Sequence, residues 1–149
     1  MSDTTLFTAV GGMPGVVALA NAWHINVMAD EIVSHAFSHG FHPHHLDRLV
    51  AYWCEAWGGP SLYSTQYGTE STMVRIHSGN GIHTEMDERA IACFDQAMQD
   101  VGITDARLTG VLHDYFVWVT TSSIAAYPDS AHDVPAGLSI PRWSWTGRQ

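Results

Sequence analysis

Residues 34–46 read SHAFSHGFHPHHL, and five of the chain's ten histidines fall between His35 and His45. Imidazole ligates metals, titrates near neutral pH and moves protons, so three chemistries are open to such a cluster. A zinc centre needs ligands converging from set spacings, such as HExxH on one helix face or paired CxxC motifs. HGFHPHH has neither, and no cysteine or acidic residue is interleaved with it. The plain structural reading is solvated turn histidines with adventitious metal affinity, and composition alone does not support a pH switch. Of the histidines outside the cluster, His24 lies beside Trp23, at the edge of an apolar helix face. His77, in MVRIH, reads by itself as a polar residue closing a short helix. His113-Asp114 are adjacent in a helix and point apart, and no GxSxG elbow accompanies them, which sets a serine hydrolase aside. Gly79-Asn80-Gly81 lacks the lysine and the preceding strand of a phosphate loop.

The elements that must position these side chains are helices. Gly11-Gly12 precede a first long helix, with Pro14 in its opening turn and Val16, Ala20, Trp23 and Val27 at helical spacing. The histidine stretch is broken by Gly40 and Pro43 and reads as turn. From His44 a helix carries Leu46, Leu49, Val50, Trp53 and Trp57 on one stripe and His45, Leu49 and Tyr52 along its edge, until Gly58-Gly59-Pro60 ends it. Residues 61–83 are glycine-rich and irregular, with a turn of helix ending at Gly79. Thr84 to Asp87 has the form of a capping box opening a helix with Ala90, Ile91, Phe94, Ala97, Met98 and Val101. A fourth long helix after Thr104 carries Leu108, Val111, Leu112, Tyr115, Phe116 and Val119. Beyond Tyr127 the pattern stops, and an irregular proline-containing tail is expected to pack Trp143 and Trp145 back on the body. Few residues favour strands, so the fold class is all-α with four main helices.

The 149 residues suit one core, and 46% hydrophobic with 14% charged residues is a globular composition. A formal net charge of −9 and no basic run argue against nucleic-acid binding. No apolar run is long enough to cross a bilayer and no signal peptide is visible, so no membrane partner and a cytoplasmic location are expected. Cys54 and Cys93 form no CxxC and are read as buried thiols in a reducing compartment.

The strings LFTAVGG, WGGPSLYSTQYG, MVRIH and PRWSW, set among four helices, resemble the truncated hemoglobins over almost the whole chain. Among these they most resemble group II and an actinobacterial-type branch with a PRWxW-like tail. The resemblance implies a two-on-two helical sandwich over residues 1–127, an extension over 128–149 packed on the globin body, and a b-type heme. It implies that His77 is the proximal iron ligand, that Phe37 wedges against the heme, and that Arg48 meets a propionate. It places His45 at the distal position, with Leu49 and Tyr52 in the pocket one and two turns on. The other cluster histidines become turn or surface residues.

Two positions depart from the family pattern. Trp23-His24 stands where the family has an aromatic followed by tyrosine, and Ala90 where it has tryptophan. Both changes remove usual oxygen-stabilising donors, for which His24 and His45 are the available replacements. The loss of an indole at Ala90 is expected to open a cavity lined by Leu49, Tyr52, Ala90 and Phe94, with room for an organic ligand. Three functions follow: a binder of O2, NO or another small ligand at a two-histidine distal pocket; a heme-dependent oxidoreductase using O2 or peroxide on a small organic or nitrogenous substrate, with His24 and His45 catalytic; or a heme-free metal-buffering or interaction module. An electron-donating reductase is a possible partner, and the chain is expected as a monomer or homodimer.

Overall fold

The computed structural model describes residues 4–37 and 44–149, and of Ala36 and Phe37 the backbone alone. The short α1 (Leu6–Ala9) leads into α2 (Gly12–Ala29) and a 3-10 turn, Val33–Phe37. After the histidine stretch come α3 (His45–Ala56), the short α4 (Leu62–Gln66) and α5 (Glu70–Ile76), then α6 (Thr84–Asp100) and α7 (Ala106–Trp118). The four expected long helices are α2, α3, α6 and α7. α2 packs on both α3 and α6, and α6 on α7, giving the two-on-two sandwich. No helix among the described residues is long and apolar enough to cross a membrane.

Local chemistry sets the helix bounds. Asp105 caps α7 by accepting the amide of Leu108 at 2.9 Å, and Leu108, Val111, Leu112, Tyr115 and Phe116 then bury one face. Thr69 caps α5 in the same way through Thr72 N at 3.2 Å. At α6 the cap is one residue earlier than expected: His83 flanks the helix, Thr84 is its first residue, and His83 Nδ1 reaches Asp87 at 2.8 Å. The carboxylate three residues after Thr84 thus binds an imidazole where a capping box would have it bind a backbone amide.

Two glycines of WGGP explain that motif. Gly58 ends α3 at φ +87°, and a Cβ on Gly59 would lie 2.6 Å from the Phe7 ring. The chain therefore turns directly over α1, whose Phe7 amide donates to Trp57 O at 2.9 Å.

The core is unusually aromatic. Trp53 stacks on Trp57 with ring centres 5.2 Å apart and meets Phe94 edge-on at 5.5 Å, while Phe94 stacks on Phe116 at 4.4 Å. Trp57 Nε1, Tyr115 Oη and Trp143 Nε1 are buried with no hydrogen-bond partner among the described residues. Each stranded polar atom costs about 1–3 kcal/mol. Cys54 and Cys93 are buried free thiols, and burial pushes Cys54 up to about 11 and Cys93 in the same direction, so neither is a reactive thiolate.

After α7 the backbone widens into a π-turn, Val119–Ile124, with Ala125 N donating to Thr120 O at 3.1 Å. The tail then returns across the molecule. It is less irregular than expected: Trp143–Ser144 and Gly147–Arg148 pair as a minimal antiparallel hairpin. As anticipated, Trp143 is buried and Trp145 packs back, its indole donating to Thr4 O at 2.6 Å.

Candidate functional site

His77 is the C-terminal flanking residue of α5. Its Nδ1 lies 2.8 Å from Met73 O, one helical turn back. A carbonyl only accepts, so Nδ1 carries the proton and the Nε2 lone pair faces outward. The residue keeps solvent-exposed surface, while the surrounding protein desolvates the ring and lowers its pKa, against the opposing effect of the Met73 bond. A neutral imidazole with Nδ1–H anchored on a carbonyl is the form that ligates a metal through Nε2. Ile76, its neighbour in the chain, and Ile82, five residues on, have 61% and 85% of their surface exposed. Apolar side chains left open beside an imidazole fit a flat apolar group such as a porphyrin.

Two further imidazoles lie close to one another. His24, on α2, and His45, at the start of α3, hold their rings 5.7 Å apart and tilted by 52°. Burial pushes His45 down to about 4, with further contributions from His24 and then His77, so it is neutral at physiological pH. The influence of His77 on His45 puts all three rings within electrostatic range. Two surface grooves, of about 490 Å3 beside Asp95 and His113 and about 410 Å3 beside Met13 and Val50, include none of the three.

The other expected site residues divide. Arg48 lies over the Tyr67 ring, 5.7 Å from its centre, and Leu49 is half-buried against the core. Tyr52 is turned inward: its hydroxyl donates to Glu70 Oε1 at 2.6 Å, and its ring meets Tyr63 edge-on at 5.4 Å. Phe94 is fully buried, in ring contact with Trp53 and Phe116. Ala90 is half-buried, and its carbonyl accepts from Trp23 Nε1 at 3.1 Å. Phe37 closes the 3-10 turn, with its side chain outside the described residues, as are His39 and His42. His35 is exposed, and exposed His44 pairs with Asp47 at 3.2 Å. Among the described residues no three His, Cys, Asp or Glu side chains converge to hold a metal ion.

Sequence reasoning missed what holds His77 in place. The tail grips its helix on both sides. Before it, Ser71 Oγ donates to Pro135 O at 2.7 Å and accepts from Leu138 N at 3.0 Å, and Arg75 donates to Val134 O at 3.3 Å. After it, Gly79 N donates to Tyr127 O at 3.0 Å and Gly81 N to Pro128 O at 2.8 Å. Only the Met73 carbonyl, at fixed helical spacing, could have been read from the sequence.

The bacterial-like globin family model matches residues 5–120, and the chain belongs to that family. Its fold is that of the truncated hemoglobins. The group II truncated hemoglobin of Bacillus anthracis superposes with a TM-score of 0.74 at 19% identity, over 87% of this chain and 97% of that one. A thermostable hemoglobin of the actinobacterium Thermobifida fusca gives 0.68 at 24% identity, over 81% and 97%. A truncated oxygen-avid haemoglobin of Bacillus subtilis gives 0.68 at 15% identity, over 81% and 99%. No curated protein sequence matches the chain. As a member of the globin family it is a heme-binding protein.

Proposed function

We propose that this globin binds O2 or a comparably small ligand beside His24 and His45, with heme b held on His77. The observation that supports the reading is the pair of imidazoles 5.7 Å apart, with His77 within electrostatic range of His45. His77 Nε2 would be the axial ligand, Ile76 and Ile82 would cover apolar macrocycle, and Arg48 and Phe37 are the remaining contacts the family pattern suggests. Bound there, heme supplies an iron with one coordination position open to a small ligand. His24 and His45 replace the tyrosine and tryptophan donors of the family pattern. A neutral imidazole offers one N–H donor and one acceptor nitrogen, so the pair can hydrogen-bond a bound diatomic and exclude bulk water.

A second reading, peroxide chemistry, is supported by the two imidazoles standing side by side, 5.7 Å apart. Burial lowers the pKa of His45, so its ring is neutral near pH 7 and can take a proton from peroxide at a ring nitrogen and return it to the departing oxygen. His24 faces it as hydrogen-bond donor.

Loss of stoichiometric heme and of the Soret band in His77→Ala tests the common premise; a variant that keeps full heme affinity and spectrum refutes it. Oxygen affinity and autoxidation rate measured in wild type, His24→Phe and His45→Leu test the first reading. The same variants should slow the reaction with peroxide by at least about tenfold, roughly 1.4 kcal/mol of barrier, if the second holds.

A further inference from the structure

Five of the chain's six tryptophans stand in one unbroken line of ring contacts. The line starts at Trp23, the neighbour of His24, whose indole reaches the Ala90 carbonyl. Trp23 meets Trp53 with centres 6.2 Å apart, and Trp53 stacks on Trp57 at 5.2 Å. Trp57 meets Tyr115 edge-on at 5.6 Å, and Tyr115 meets Trp143 edge-on at 5.5 Å. Trp143 contacts Trp118 at 6.1 Å, and half-buried Trp118 lies under the Arg148 guanidinium, 5.0 Å from its ring centre. The sixth, Trp145, is also half-buried but off the line. It makes no aromatic ring contact among the described residues and is held by Thr4 O and Arg107.

Packing alone does not account for these residue types. Trp57, Tyr115 and Trp143 each strand a buried N–H or O–H that phenylalanine would not carry. What an indole offers and a phenyl ring does not is an electron given up at an accessible potential. The stranded protons also matter. An oxidised indole becomes fixed as a neutral radical once it sheds its N–H proton, and among the described residues neither Trp57 nor Trp143 has an acceptor for it. Charge there stays mobile. Tyr115, whose phenol also lacks an acceptor among the described residues, serves as a bridge between two indoles and not as a resting place. At Trp118 the chain reaches solvent.

We propose that this line carries oxidising equivalents from the heme pocket to Trp118, where an anionic aromatic donor too large for the pocket is oxidised against Arg148. The proposal rests on the peroxide reading above. Reducing one hydrogen peroxide to two waters takes two electrons and two protons. Each electron leaves Trp23 or Trp53 for the pocket and is replaced indole by indole from Trp118, with Tyr115 as the bridge between Trp57 and Trp143. Trp118 recovers it from a phenolic donor, which departs as a radical and releases its proton. Two donor molecules thus supply both electrons and both protons.

The test treats the heme-loaded full chain with hydrogen peroxide, without added donor, and maps oxygen adducts on tryptophan by peptide mass spectrometry. Adducts on Trp118 should exceed those on Trp145, which is of the same burial class, by at least about tenfold. Trp57→Phe should cut the Trp118 adducts by a similar factor and gather them at Trp23 and Trp53, while Trp145→Phe leaves the Trp118 adducts as they are. Trp118→Phe, a conservative change at a half-buried position, should abolish the tryptophan radical signal that freeze-quench paramagnetic resonance assigns to the end of the line, and slow oxidation of a sulfonated aromatic dye about tenfold. Equal adducts on Trp118 and Trp145 mean a diffusing oxidant and overturn the relay. Peroxide consumption with adducts confined to Trp23 and Trp53, or an unaltered pattern in Trp57→Phe, overturns the relay and leaves the peroxide reading standing. Failure of the loaded protein to consume peroxide overturns both.

Discussion

Tyr52 and Glu70 illustrate how one buried pair is tied to stability. Glu70 is 4% exposed and accepts from Tyr52 at 2.6 Å and from Ser123 at 3.3 Å. Burial raises its pKa above the ordinary 4.5, and the two hydrogen bonds only partly oppose this. The folded protein therefore holds the Glu70 proton more tightly than the unfolded chain does. Its contribution to stability is complete below about pH 4.5 and is lost as pH rises through the folded value. Glu70→Gln keeps an acceptor for Tyr52 and removes the titration, so urea unfolding across this range should show a flatter dependence on pH than in wild type. Tyr52→Phe leaves the buried carboxyl without that donor and should cost about 1–3 kcal/mol in the same assay. The sequence showed Tyr52 on the His45 edge of α3 but not its direction, because its partner lies on another helix 18 residues on. His77 shows the opposite case. Its anchor, Met73 O, is four residues back on its own helix, so once the family pattern marks His77, its tautomer follows from helix geometry.

At the scale of elements, caps and close approaches decide the most. Asp105→Ala removes the acceptor for Leu108 N and should cost about 1 kcal/mol, seen as a lower Tm. Gly15→Ala is a harsher change, since a Cβ there would lie 1.9 Å from Val10 O, a backbone atom that no rotamer can move. Loss of about 3 kcal/mol, or failure to express folded protein, is the expected outcome by thermal unfolding. The long helices were legible because their apolar spacing and stop signals are local. The α6 start was misplaced by one residue because His83 offers the carboxylate of Asp87 a partner in competition with the backbone. The short helices α4 and α5 and the π-turn have little periodic pattern of their own, and tertiary contacts stabilise them. The short tail hairpin has no run of strand-favouring residues to announce it.

Over the whole molecule, the two-on-two sandwich was legible and the role of its tail was not. Ser71 and Pro135 are 64 residues apart, and nothing local to either one encodes their contact. The aromatic line is illegible for the same reason, since its members come from α2, α3, α7 and the tail. The grip of the tail on both sides of His77 has a thermodynamic corollary. A group that binds His77 and a tail that docks on the segment carrying it are reciprocal effectors, since each stabilises the arrangement the other needs. Heme loading should therefore slow hydrogen exchange and proteolytic cleavage within residues 127–138, far along the chain from the ligand, in proportion to ligand in excess of its Kd. Ser71→Ala, which severs two of the five links, should weaken heme retention and raise tail cleavage together. Cleavage that is insensitive to heme would show the tail to be packing alone. If His77 holds the heme as proposed, the C-terminal segment would be a readout of that ligation, and the state of one could be assayed at the other.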